Sequence, residues 1–156
     1  MTAFAYKLPD HDRTEAPMTR DQILQRNLDI VDAHMKGEGQ DPASVMDLYT
    51  DDIVLEMPTR GMTLTGKAAI EANYRRMFGA MELLGFEPID RFATEDRVVD
   101  DCRVRFKLLR EGFDKAPLPI GSTVELRLVH IFHLRDGLIC HETVVEGWTQ
   151  IEEPSR

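Results

Sequence analysis

Two β-rich runs flank Arg135-Asp136-Gly137 within residues 123–148 and leave this part of the chain little conformational choice. An Asp-Gly pair between apolar runs is a strong hairpin signal, because its tight turn needs positive φ at both central residues. Alternation along the first run places Leu126, Leu128, His130, Phe132 and Leu134 on one face. His130 is therefore a titratable group in an otherwise apolar row. It reads either as a core histidine satisfied by its neighbours or as a proton-handling group facing a pocket.

Upstream, helical spacing comes first. Thr19 begins a helix whose stripe is Ile23, Asn27, Ile30, Val31 and His34, ended by Gly37 and Gly39. Asp41 and Pro42 open a second short helix carrying Val45, Leu48 and Tyr49. A short strand over residues 53–57 and a loop over 58–65 lead to a third helix over 67–78. Strands follow at 85–93, where Pro88 implies an edge or a bulge, and at 97–109. Simple alternation makes Val98, Asp100, Cys102, Val104, Phe106 and Leu108 the core face of the latter, with Val99, Asp101, Arg103, Arg105 and Lys107 in solvent. Helices followed by antiparallel strands give an α+β class. The expected division is an N-terminal arm (1–18), one domain (19–150) and a C-terminal tail (151–156).

At 156 residues the chain has room for one substantial core. A formal net charge of −9 disfavours nucleic acid or an anionic membrane as partner. No stretch has the apolar length to span a bilayer, and the N-terminus lacks the pattern of a signal peptide. Two cysteines, Cys102 and Cys140, both within predicted strands, suit a reduced cytoplasmic setting. Neither Cys-x-x-Cys nor His-Glu-x-x-His occurs, nor a glycine-rich phosphate loop, so the expectation is no metal and no cofactor.

The tract Tyr49-Thr50-Asp51-Asp52-Ile53-Val54-Leu55-Glu56-Met57-Pro58, then Gly66-Lys67-Ala68-Ala69-Ile70, then residues 132–139, resembles the nuclear-transport-factor-two-like superfamily over roughly residues 20–150. Within it the chain is similar to SnoaL-like polyketide cyclases and ketosteroid isomerases. The resemblance implies a curved antiparallel sheet wrapped on N-terminal helices, cone-shaped with a central pocket, and often a homodimer or higher homo-oligomer. This fold hosts isomerases, cyclases, dehydratases, lyases, epoxide hydrolases and non-catalytic binders, so it does not choose an activity.

Functional positions transfer one at a time. Met57 occupies the place of the isomerase general base, Ile30 that of its oxyanion tyrosine, and His130 that of its protonated aspartate. The cyclase histidine matches His130, but its aspartate partner falls on Val144, with Glu142 and Glu146 two residues to either side. Of the epoxide-hydrolase set, Arg103 matches the arginine, while Arg105 replaces one aspartate and Val144 the other. The family register also turns Val99, Asp101, Arg103 and Arg105 into the pocket, against the alternation reading. The family register is preferred here.

The expected catalytic set is then His130 moving a proton, Asp101 orienting it or acting as base, and Arg103 holding developing negative charge. Asn27, His34, Tyr49, Met57, Tyr74, Arg105, Phe132, Glu142, Val144 and Glu146 are expected to bind substrate. Each also has a bland alternative: solvated strand charges for the Asp, Arg and Glu residues, and plain core for the aromatics and Met57. The implied function is cofactor-independent acid–base chemistry (lyase, isomerase or cyclase type) on a small apolar, aromatic or polyketide-like molecule. The alternative is a non-catalytic binding or accessory protein using the same pocket.

Overall fold

Thr19 starts α1 (Arg20–Gly37) with a capping box: its hydroxyl accepts from the Gln22 N–H while the Gln22 side chain accepts from the Thr19 N–H. The structure, a computed structural model, describes residues 16–152; residues 1–15 of the expected arm and 153–156 of the expected tail lie outside the described residues. After α1 come α2 (Pro42–Val45), β1 (Tyr49–Met57), β2 (Met62–Thr65), α3 (Lys67–Gly79), β3 (Met81–Ala93), β4 (Arg97–Leu108), β5 (Thr123–Arg135) and β6 (Leu138–Gln150).

The strands form one curved, unclosed sheet in the order β2-β1-β6-β5-β4-β3. Neighbours are antiparallel except β1 and β6, which run parallel. Three boundaries differ from expectation: residues 62–65 pair with β1 as a strand rather than looping, β1 begins at Tyr49 rather than at residue 53, and β3 begins at Met81 rather than at residue 85. Four residues are too few for alternation to stand out from a loop. The hairpin turn uses Asp136 at φ 51° and Gly137 at φ 76°, the paired positive values its sequence announces. Pro88 lies on edge strand β3 beside one of its two register shifts.

β4 pairs with β5 in unbroken register from Arg97↔His133 to Lys107↔Thr123, so alternation along β4 holds. Val98, Asp100, Cys102, Phe106 and Leu108 are buried. Asp101, Arg103 and Arg105 therefore point away from the cone, a correction to the family register. There they pair with Arg127 (2.5 Å), Glu87 (2.7 Å) and Glu125 (2.8 Å) respectively. Without a bulge nothing turns the strand, and burying this row of charges would carry a heavy desolvation cost.

The core divides into two apolar clusters. One holds Val31, Ile53, Ile70, Val98, Phe132 and Ile139 under the helices. The other holds Phe106, Leu108, Phe113, Val124 and Leu126, with Trp148 against it. Met77 and Leu128 pack against both. None of the helices among the described residues is long and apolar enough to cross a membrane.

Candidate functional site

A cavity of about 80 Å³ opens where the two clusters meet. Leu55, Met57, Tyr74 and Val144 reach it from the first, and Phe106, Phe113 and Leu126 from the second. Its polar wall consists of Glu38, Arg60, Asn73, His130, Glu142 and Glu146, besides the Tyr74 hydroxyl. A surface groove of about 1000 Å³ between the end of α1 and β3 shares Glu38, Phe78, Met81, Val104 and Leu128 with the cavity.

His130 stands directly opposite Asp100 in the β4–β5 register, with Nδ1 at 3.6 Å from Oδ2 and both side chains buried. Phe132 stacks on the imidazole, ring centroids 5.7 Å apart. Arg91 Nε donates to Asp100 Oδ1 at 2.6 Å, and its far nitrogen reaches Asp32 of α1 at 3.2 Å. Burial works against a charged imidazole, but Asp100, Cys102, Glu142 and Glu38 outweigh it and hold His130 well above the usual imidazole range. Burial likewise opposes the Asp100 carboxylate, yet His130 and Arg91 keep its pKa below the ordinary value. Each group thus favours the charged form of the other.

A second polar group forms between α1, β1, α3 and β6. Tyr49 Oη donates to Glu142 Oε2 at 2.9 Å, lies 2.6 Å from His34 Nε2 and 2.9 Å from the Tyr74 hydroxyl. His34 Nε2 is 3.4 Å from the same Glu142 oxygen. Burial raises both tyrosines well above their ordinary value, so they remain donors. Glu142 is opposed by burial but kept ionised by His34, His130 and Tyr49. Glu38, just past α1, differs: burial pushes its carboxyl up, and its Oε2 lies 3.8 Å from His34 Nδ1. It is the carboxyl on the cavity wall whose proton affinity moves toward neutrality.

At the far end, the Arg60 guanidinium meets Glu146 with Nε at 3.1 Å from both carboxylate oxygens. It also donates to the Asp114 carbonyl at 2.8 Å and lies over the Phe113 ring at 4.7 Å. Trp148 Nε1 donates to Glu146 Oε2 at 2.7 Å. Arg60 thereby pins the loop over residues 109–122 against the cavity, and its charge is spent on Glu146.

Of the residues the sequence singled out, His130, Met57, Tyr74, Glu142, Val144 and Glu146 line the cavity. His34, Tyr49 and Phe132 stand behind its wall and support it. Asn27 is corrected: its amide donates to the Thr94 and Glu95 carbonyls at 3.1 and 3.0 Å, tying α1 to the β3–β4 turn. Asp101, Arg103 and Arg105 do not line the cavity. Asp100 replaces Asp101 as the partner of His130, as simple alternation would have placed it. Glu38, Arg60, Asn73 and Phe113 were missed. Each lies on a helix end, a helix or an irregular segment, where strand periodicity says nothing.

Asp100, Cys102 and His130 bring one carboxylate, one thiol and one imidazole within 4.8 Å of one another, a donor set of metal-ligand type. Arg91 already lies on Asp100, and a cation there would share that carboxylate with a guanidinium.

A family model described as "SnoaL-like domain" matches residues 31–142. No curated protein sequence matches the chain significantly. Among solved structures, an NTF2-like protein from Burkholderia xenovorans LB400 is similar, with TM-score 0.63 and 18% identity over 81% of this chain and 91% of that one. A provisionally designated polyketide cyclase from Xanthomonas campestris pv. campestris has TM-score 0.62 and 22% identity over 79% and 91%. An epoxide hydrolase from M. tuberculosis, described as LEH-like, has TM-score 0.62 and 17% identity over 80% and 84%. At such identities the likeness is one of fold.

Proposed function

Because the chain belongs to the SnoaL-like domain family, we propose that its cavity performs acid–base chemistry with its own side chains on a small, largely apolar carbonyl compound. The observation that carries this reading is His130: a buried imidazole on the wall of a mainly apolar cavity, with the Asp100 carboxylate 3.6 Å behind it and its proton affinity raised. Such a group lowers the cost of an enolate by donating to its oxygen as charge develops. Glu38 is the matching base. Its raised proton affinity suits removal of a proton from the carbon next to the carbonyl, and the same carboxyl returns that proton elsewhere. Isomerisation, aldol-type cyclisation and elimination begin with that step; in retro-aldol cleavage the base takes the β-hydroxyl proton, the C–C bond breaks to an enolate, and that enolate is protonated at carbon. The family's isomerase-like and cyclase-like members support the class, and the aromatic lining supports an aromatic or polyketide-like substrate.

One observation favours a second reading, a non-catalytic binder using the same pocket. Arg60 and Glu146 neutralise one another, as do His34 and Glu142, leaving few free charges for chemistry. Homodimerisation belongs to either reading and is supported by Leu83, Leu84, Phe86 and Phe92, large exposed apolar residues on edge strand β3. Sedimentation would detect it.

The deciding experiment follows deuterium exchange next to the carbonyl of small neutral ketones by NMR, with the natural chain and with His130→Gln. The expected loss is about 10²–10⁴-fold in the variant. An equal exchange rate in a folded variant removes His130 from the mechanism, and tight binding without exchange favours the binder.

A further inference from the structure

Two asparagines are wholly buried in this molecule, and they are not alike. Asn27 is fully satisfied: its Nδ2 donates to two backbone carbonyls and its Oδ1 accepts from the Arg26 guanidinium. Asn73, on α3, is 1% exposed and lines the cavity, yet neither its Nδ2 nor its Oδ1 has a hydrogen-bond partner among the described residues. More than nine in ten buried polar groups in native proteins are paired, and each one left unpaired carries a desolvation cost. An amide carrying that cost twice, on the wall of a cavity, is a recognition group in waiting.

We propose that Asn73 reads the ligand and selects a neutral molecule presenting a hydrogen-bond donor next to an acceptor, as in a lactam or a hydroxy-carbonyl group. The inference rests on the cavity reading above and names its substrate class. An amide offers a donor and an acceptor side by side, so a partner with the reverse arrangement closes two bonds at once. A carboxylate cannot do so: it has nothing to donate to Oδ1. Charge points the same way. Three carboxyl groups, Glu38, Glu142 and Glu146, share the cavity wall with one guanidinium and one imidazole, and Glu146 already occupies the guanidinium. An anionic ligand finds no free cation there beyond His130, which Asp100 faces.

The test uses three small ring compounds: 2-pyridone, which has donor and acceptor; N-methyl-2-pyridone, which has the acceptor alone; and benzoate, which is anionic. Binding is followed by calorimetry, and independently by fluorescence of Trp148, which hydrogen-bonds to cavity residue Glu146. The full chain is expected to bind 2-pyridone about tenfold more tightly than its N-methyl derivative and to bind benzoate least. Asn73→Leu should remove the discrimination and raise the thermal midpoint of the ligand-free protein, since it deletes two unpaired buried groups. Arg103→Ala, on the outer face of the sheet, should leave the discrimination in place; Asn73→Leu is read by binding and His130→Gln by exchange, so loss of ligand reading and loss of exchange chemistry are separable. Preference for benzoate, discrimination surviving Asn73→Leu, or an Asn73→Leu protein with a lowered midpoint each overturns the assignment.

Discussion

Asp100 Oδ2 lies 3.6 Å from His130 Nδ1 across the β4–β5 ladder, both residues buried beneath the same face of the sheet. Neither group would ionise readily there alone. Together, with Arg91 closing the other side of the carboxylate, they form a charged unit embedded beside apolar rings.

The first prediction concerns the pH dependence of stability. His130 and His34 have folded-state pKa values above the ordinary 6.5, burial being outweighed by carboxylates near each. Their contribution is complete below the unfolded value and is lost as pH rises from about 6.5 through the folded values. Asp100 and Glu142 are depressed below 3.8 and 4.5, so their contribution is present above those values and fades as pH falls below them. Thermal midpoints measured against pH should therefore decline on both sides of a weakly acidic plateau. A midpoint that keeps rising from pH 6.5 to 9 contradicts the assignment.

Asp100→Asn should lower the His130 pKa, because it removes the nearest group opposing burial. Titration of the His130 ring by NMR measures this directly. Asp101→Asn serves as the control, since Asp101 pairs with Arg127 on the outer face and should leave the titration unmoved.

The Arg60–Glu146 pair should show strong non-additivity. Either Arg60→Met or Glu146→Gln alone strands a buried partner and should cost about 3–5 kcal/mol, whereas the double variant should recover part of that loss. Denaturant unfolding of the four proteins completes the cycle. Simple additivity would show that the contact is not energetically coupled.

Tyr49→Phe should destabilise by about 1–3 kcal/mol, because the shortest protein donor to the buried Glu142 carboxylate disappears. Arg103→Ala, by contrast, should stay within about 0.5 kcal/mol and leave ketone exchange unaffected. A large effect of Arg103 on exchange would reinstate the family register for β4.

What could be read from the sequence, and what could not, follows from the range of each signal. The β5–β6 turn rests on two adjacent residues and a period of two, so Asp136-Gly137 and the inward row from Leu126 to Leu134 were legible. The inward row of β4 was legible for the same reason, and the family register displaced it wrongly by one residue, exchanging Asp100 for Asp101. The Asp100–His130 contact depends on how two strands align across the 109–122 loop, which no local pattern records. Glu38 and Asn73 are further out of reach. Their neighbours come from strands far along the chain, and nothing in a helical period distinguishes an amide facing a cavity from one facing a carbonyl.

The parallel seating of β1 against β6 carries a kinetic consequence. Tyr49 and Glu142 are 93 residues apart in sequence, so their contact closes a loop comprising most of the chain. Contacts of such long range slow folding, because the ordering entropy is spent before the contact repays it. During synthesis, α1, β1 and α3 emerge long before the strand that completes the polar cluster. The pocket is consequently among the last features to exist on a nascent chain, and a ribosome stalled before residue 142 has emerged would carry helices and strands with no chemistry between them.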